Sequence, residues 1–96
     1  MNRVVLTARI AERSVLRHTP AGLPALDLRL EHESEVKEDG HNRQVKASVK
    51  AVALGVLAER LSQQSLDSTW KFLGFLATPR NGKGVVFHLQ EFQHHS

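Results

Sequence analysis

Polar and apolar residues alternate through residues 4–10, VVLTARI, with Val4, Leu6, Ala8 and Ile10 on one side and Val5, Thr7 and Arg9 on the other. Period two marks a strand buried on one face. LDLRL repeats the pattern, with Leu26, Leu28 and Leu30 inward and Asp27 and Arg29 outward. Between these strands Pro20-Ala21-Gly22 suits a turn with Pro at its second position. Leu16 is expected in the interior of a strand. VKASVKAVA alternates again, with Val45, Ala47, Val49 and Ala51 facing in and Lys46, Ser48 and Lys50 facing out. At residues 54–62, LGVLAERLS, the period changes. Leu54, Leu57, Ala58 and Leu61 recur at helical spacing and predict a short helix. WKFLGFLA then reads as a strand with Trp70, Phe72 and Gly74 on one side, where Gly74 predicts a bulge or sharp bend. VVFHLQEF is the last strand, with Val85, Phe87 and Leu89 on one face, and Asn81-Gly82 before it is a hairpin signal.

The order is three strands, a helix, and two strands. An all-β, five-stranded OB-fold Greek-key barrel with one short helix between strands 3 and 4 has this layout, and closing the barrel hides edges that short strands would otherwise expose. The expected organisation is one domain over residues 1–96. Barrels of this type take oligonucleotides on the face of strands 2 and 3, framed by the first–second and fourth–fifth strand loops. The fourth–fifth loop here is TPRNGKG, with Arg80 and Lys83 around its tip.

Charge sharpens this reading. The net charge is +3, unevenly distributed. Residues 31–39, EHESEVKED, carry −4 and the remainder +7. A cationic body suits a polyanionic partner. The acidic stretch with Gly40 is expected to form an exposed loop, either simply solvated or meeting a basic protein. The chain has no cysteine, which excludes a disulfide scaffold and a thiol nucleophile. Neither an apolar run of membrane-spanning length nor a signal peptide is present, so a cytoplasmic location is expected. The histidines lack ligand-like spacing, and the carboxylates cluster in one segment rather than pairing across a pocket. No metal, cofactor or catalytic activity is expected.

LRHTPAGLPALDLRLEH, from Leu16 to His32, resembles bacterial single-stranded-DNA-binding proteins, in their primosomal branch. Weaker similarity continues through Asn42–Gln44, the helix and TPRNGKG. The resemblance implies an OB-fold homodimer that binds single-stranded DNA during replication restart, alongside the primosomal helicase PriA and other primosome proteins. It places Arg17 where the family carries a groove cation, and Arg80 and Lys83 in the basic fourth–fifth loop. Two positions depart from the pattern. Lys46 stands where better-known members have an exposed Trp, and Glu33 where they have a groove Arg. Losing that aromatic removes a stacking contact of about 1–3 kcal/mol.

The candidate DNA-binding residues are therefore Arg17, Arg29, Lys46, Lys50, Arg80 and Lys83. Lys46, Lys50 and Arg29 lie on the outward faces of strands 2 and 3, where the competing reading is plain solvation and Asp27 is a possible partner for Arg29. The aromatics sit mostly in apolar strand patterns and are assigned to the core rather than to base stacking. Two other functions fit the same residues. One is a general single-strand-binding protein without an acidic tail. The other is a protein-interaction adaptor with residual DNA affinity, which Glu33 and Lys46 favour.

Overall fold

The computed structural model describes residues 1–95. Its elements are β1 (Val4–Arg13), β2 (Arg17–His18), β3 (Pro24–Glu38), β4 (His41–Leu54), α1 (Val56–Ser62), β5 (Thr69–Ala77) and β6 (Val86–Gln93). The strands follow the order β1-β5-β6-β4-β3-β2, and a further β1–β3 pairing closes the ring. Five strands thus form a closed barrel, and the two-residue β2 is a flap paired outside it on β3. Among the five barrel strands α1 falls between the third and fourth, as the periodicity predicts. The contact between β4 and β6 is parallel, through Ala51–Phe87 and Val52–His88, whereas the other pairings are antiparallel.

The inward sets predicted by alternation form the core. Ile10, Leu26, Leu30, Ala53 and Phe72 are completely buried, with Ala8, Leu28, Ala51, Phe87 and Leu89 close to it. Ala58 and Leu61 of α1 pack into the same cluster. The helix starts later than its periodicity suggests. Leu54 ends β4, exposed, and Gly55 turns the chain at φ 71° before Val56.

Gly74 lies at a bulge. The β5–β6 register slips between Leu73 and Gly74, and a Cβ on Gly74 would stand 1.9 Å from the carbonyl oxygen of His88. The extra residue reverses the parity of β6, so Phe92 turns inward although Phe87 and Leu89 are odd-numbered. Phe92 then meets Trp70 in a T-shaped contact, with ring centroids 5.0 Å apart.

Three local expectations are corrected. Leu16 lies outside the strands and is exposed. The acidic stretch is not a loop: β3 and β4 stay paired to Glu38–His41, and only Asp39-Gly40 connects them. Both of those residues have positive φ, 51° and 76°, as a type I′ turn requires. The result is a hairpin that projects from the barrel and contributes to principal extents of 50 × 30 × 22 Å. Val85, third, is exposed and lies just before β6.

Candidate nucleic-acid interface

The expected binding face is the outer surface of β3 and β4. Register places Asp27, Arg29, Glu31 and Glu33 opposite Val52, Lys50, Ser48 and Lys46. Acidic and basic side chains therefore interleave across it. Arg29 lies between Glu12 on β1 and Lys50 on β4, both its direct cross-strand partners. Two like charges facing each other are unfavourable. Glu12 offsets this through an ion pair of 2.8 Å to Arg29, and Glu31 pairs with the same guanidinium. Hydrogen bonds from Arg29 hold the Glu12 carboxyl below its usual range, while the Arg29 guanidinium is pushed up.

Arg17 is also engaged. The turn Thr19-Pro20-Ala21-Gly22 closes as expected, with Gly22 N–H donating to the Thr19 carbonyl at 2.8 Å. This fixes β2 against β3, with Arg17 opposite Ala25. The side chain donates through Nε and Nη2 to the two carboxylate oxygens of Asp27, at 2.8 and 3.0 Å. This fork geometry lowers the Asp27 pKa and raises that of Arg17. Asp27 thus serves Arg17, not Arg29.

Lys46 and Glu33 are direct cross-strand partners, with Nζ and Oε1 4.0 Å apart and both side chains well exposed. The two positions that the resemblance marked as departures therefore face each other. Lys50 is exposed and enters no ion pair among the described residues.

The last two candidates occupy the segment 78–85 between β5 and β6. Its turn is closed by Gly82 N–H donating to the Pro79 carbonyl at 2.9 Å, and Gly82 and Gly84 take φ 85° and 70°. Arg80 and Lys83 are exposed, and neither forms an ion pair among the described residues. Among the described residues the six candidates thus divide into two ion-paired arginines, one loosely paired lysine and three cations without an ion pair.

A match to the family model described as "another single-strand binding protein family" spans residues 2–91. The chain is 50% identical over 92 residues to the replication restart protein PriB of Bordetella pertussis, covering 95% of this chain and 86% of that protein. This chain belongs to the single-strand-binding family, in its PriB branch. PriB of Neisseria gonorrhoeae is 40% identical over 76 residues, covering 79% of this chain and 75% of the relative. A solved structure of PriB from Ralstonia solanacearum superposes with a TM-score of 0.90 at 33% identity, over 100% of this chain and 99% of that one. The wild-type single-stranded DNA binding protein of Thermus aquaticus superposes at 0.78 with 25% identity, over 97% of this chain and 49% of its own.

Two features escape the strand patterns. The upper part of β1 has a free edge, because β1 pairs with β3 only from Arg9 onward while Val4–Arg9 pair with β5. His32 stands in the resulting fork. Its Nδ1 lies 2.7 Å from the Thr7 carbonyl and its Nε2 2.8 Å from Ser34 Oγ. A carbonyl only accepts, so Nδ1–H donates to Thr7 and Nε2 accepts from the Ser34 hydroxyl. The second feature is Phe75, which points outward and stacks on His88. The parity of β5 held the signal for it: with Trp70, Phe72 and Gly74 inward, an odd-numbered Phe must face out.

Proposed function

We propose that this chain is a non-catalytic, single-stranded-DNA-binding accessory protein of replication restart. It grips the phosphate backbone electrostatically and reads little sequence. The observation that carries the reading is the basic segment 78–85, whose Arg80 and Lys83 lack carboxylate partners among the described residues, on a barrel of the single-strand-binding family. Lys50 and Lys46 extend that charge onto the β4 face. Arg17 and Arg29 contribute less, because a phosphate must compete with Asp27, Glu12 and Glu31 for them. Four lysine or arginine contacts to a single strand give a log–log salt slope near −3, at about −0.7 for each phosphate.

Titration of labelled oligo-dT and of duplex at several salt concentrations tests this. Preference for the single strand with a slope near −3 supports the reading, and salt-independent or absent binding refutes it. The Glu33–Lys46 pair on the expected DNA face is what favours the adaptor reading, which predicts only weak, residual binding with a salt slope well short of −3.

Residues 1–96 act as one domain and assemble as a homodimer in the cytoplasm. The free edge of β1 beside the exposed Val5 is suited to pairing with its own copy. Sedimentation at micromolar concentration should give about twice the 10.7 kDa chain mass, and a monomer would refute the dimer. PriA and other primosome proteins are the proposed protein partners.

A further inference from the structure

The core uses four of the five aromatic residues. Phe72 and Phe87 are essentially fully buried, Phe92 nearly so, and Trp70 packs against the core in a T-shaped contact with Phe92. Phe75 is the exception. It stands on the outer face of β5, half-buried, directly opposite His88 on β6. The two rings lie nearly parallel, 13° apart, with centroids at 5.0 Å. This is the offset-stacked arrangement that aromatic pairs favour. A Phe placed outward gains nothing from the barrel interior, so its surface calls for another explanation.

Its position supplies one. Ala77–Val86 is the last rung of the β5–β6 ladder before segment 78–85, and Phe75–His88 is the next rung on the same outward face. Two residues of strand separate them, about 7 Å. On the other side His88 adjoins Val52 of β4. Lys50, exposed and without an ion pair among the described residues, lies two residues before Val52 on the same outward face. The ring pair is thus bracketed by cations that form no ion pair among the described residues, Arg80 and Lys83 from the loop and Lys50 from β4. Cations that hold a backbone on either side of an aromatic surface form the arrangement by which single strands are bound without sequence reading.

We infer that Phe75, held by His88, is a base-stacking platform for a nucleobase of the bound single strand. The inference rests on the proposed DNA-binding function and adds to it the one contact that touches bases rather than phosphates. It also gives the chain an aromatic contact, on a different strand, although Lys46 stands where relatives were expected to carry an exposed Trp. Phe75 touches the base, and His88 acts as its positioning residue.

The test uses the full chain with oligo-dT and an abasic oligomer of equal length. Stacking contributes no counterion release, so its loss should lower affinity without changing the salt slope. Phe75→Leu keeps the apolar bulk and removes the π face. It should weaken dT binding about fivefold or more. It should leave both the slope and the affinity for the abasic strand unchanged. Phe75→Trp should retain dT affinity, and its indole emission should be quenched by dT beyond the response of Trp70 in the wild type, but not by the abasic strand. Wild-type dT affinity in a folded Phe75→Leu protein overturns the platform while leaving the DNA-binding function intact. So does a change of slope in that variant. Should Phe75→Leu not fold, absence of extra quenching in Phe75→Trp overturns it instead. Failure of the wild type to bind dT at all removes the parent function and the platform together, and is a separate result.

Discussion

Two Gly-containing dipeptides stand at the apices of the two long hairpins, and the chain treats them oppositely. Asp39-Gly40 is a two-residue turn, with Glu38 and His41 paired immediately beneath it. Asn81-Gly82 lies in a stretch of eight residues, from 78 to 85, that leaves the ladder. Yet its register is equally suitable. Ala77 pairs with Val86, so continued zipping would set residue 78 against 85, Pro79 against Gly84 and Arg80 against Lys83, leaving Asn81-Gly82 as the turn. Pro79 has no N–H to give, Gly84 favours an open chain, and two cations would meet face to face. At the acidic tip the neighbouring charges attract instead, since Glu38 and Arg43 form an ion pair of 2.8 Å. A turn dipeptide therefore permits a hairpin, and the residues below it decide whether the strands close. The open tip leaves Arg80 and Lys83 without carboxylate partners among the described residues, while the closed tip pairs Arg43 with Glu38.

The comparison is broken most strongly by removing the free cations. Arg80→Ala with Lys83→Ala should reduce the magnitude of the salt slope by about 1.4, equivalent to about 25-fold weaker DNA binding at 0.1 M salt if the difference vanishes near 1 M. The loss should be similar for dT, dC and mixed strands, because phosphate contacts carry no sequence information. Thermal stability should hardly move. Unchanged affinity in the folded double mutant would assign the charged tip to another role.

Next in size is a test of the turns themselves. Gly40→Ala forces a Cβ into left-handed backbone within a closed ladder and should cost roughly 1–2 kcal/mol. Gly82 has a similar φ, 85°, but the open segment around it can readjust. Gly82→Ala should therefore cost less than half as much. Thermal melts of the two variants decide this, and equal losses would show that segment 78–85 is as constrained as the acidic tip.

A smaller effect is expected from the acids. Glu33, Glu35 and Glu38 changed to Gln should strengthen oligo-dT binding by about two- to threefold at low salt, an effect that screening removes as salt rises. Weaker binding by the folded triple variant would instead make these carboxylates part of a productive contact.

The smallest effect concerns the neutralised arginine. Arg17 lowers the pKa of Asp27, so their pair stabilises the fold above the ordinary aspartate range and that contribution is lost as pH falls through the depressed value. Both side chains are about half exposed, which limits the contribution to a few tenths of a kcal/mol. Asp27→Asn should flatten the acid limb of the stability profile by that amount and release Arg17, giving slightly tighter DNA binding. An unchanged acid limb would show that the pair contributes nothing in solution.

Alternation and composition alone located the five barrel strands, most of their inward-facing residues, the short helix and the irregularity at Gly74. These are local consequences of period two, period 3.6 and one residue without a Cβ, and the burial of Leu26, Leu28, Leu30 and Phe87 follows directly from them. Val85, which lies just before β6, and Phe92, where the bulge reverses the parity of β6, escaped the pattern. The sequence also marked the cations. Which of them are free was decided by the tertiary structure, because an ion pair depends on register between strands far apart in the chain. Glu12 reaches Arg29 only through the β1–β3 closure, and Asp27 reaches Arg17 only because the β2 flap folds back on β3. The same holds for the acidic stretch, whose charge reads as a loop until His41–Ser48 of β4 pair with Glu31–Glu38. Phe75 and His88 likewise become one surface only when β5 and β6 pair. Local pattern fixes which way a side chain points, and long-range pairing fixes what it meets there.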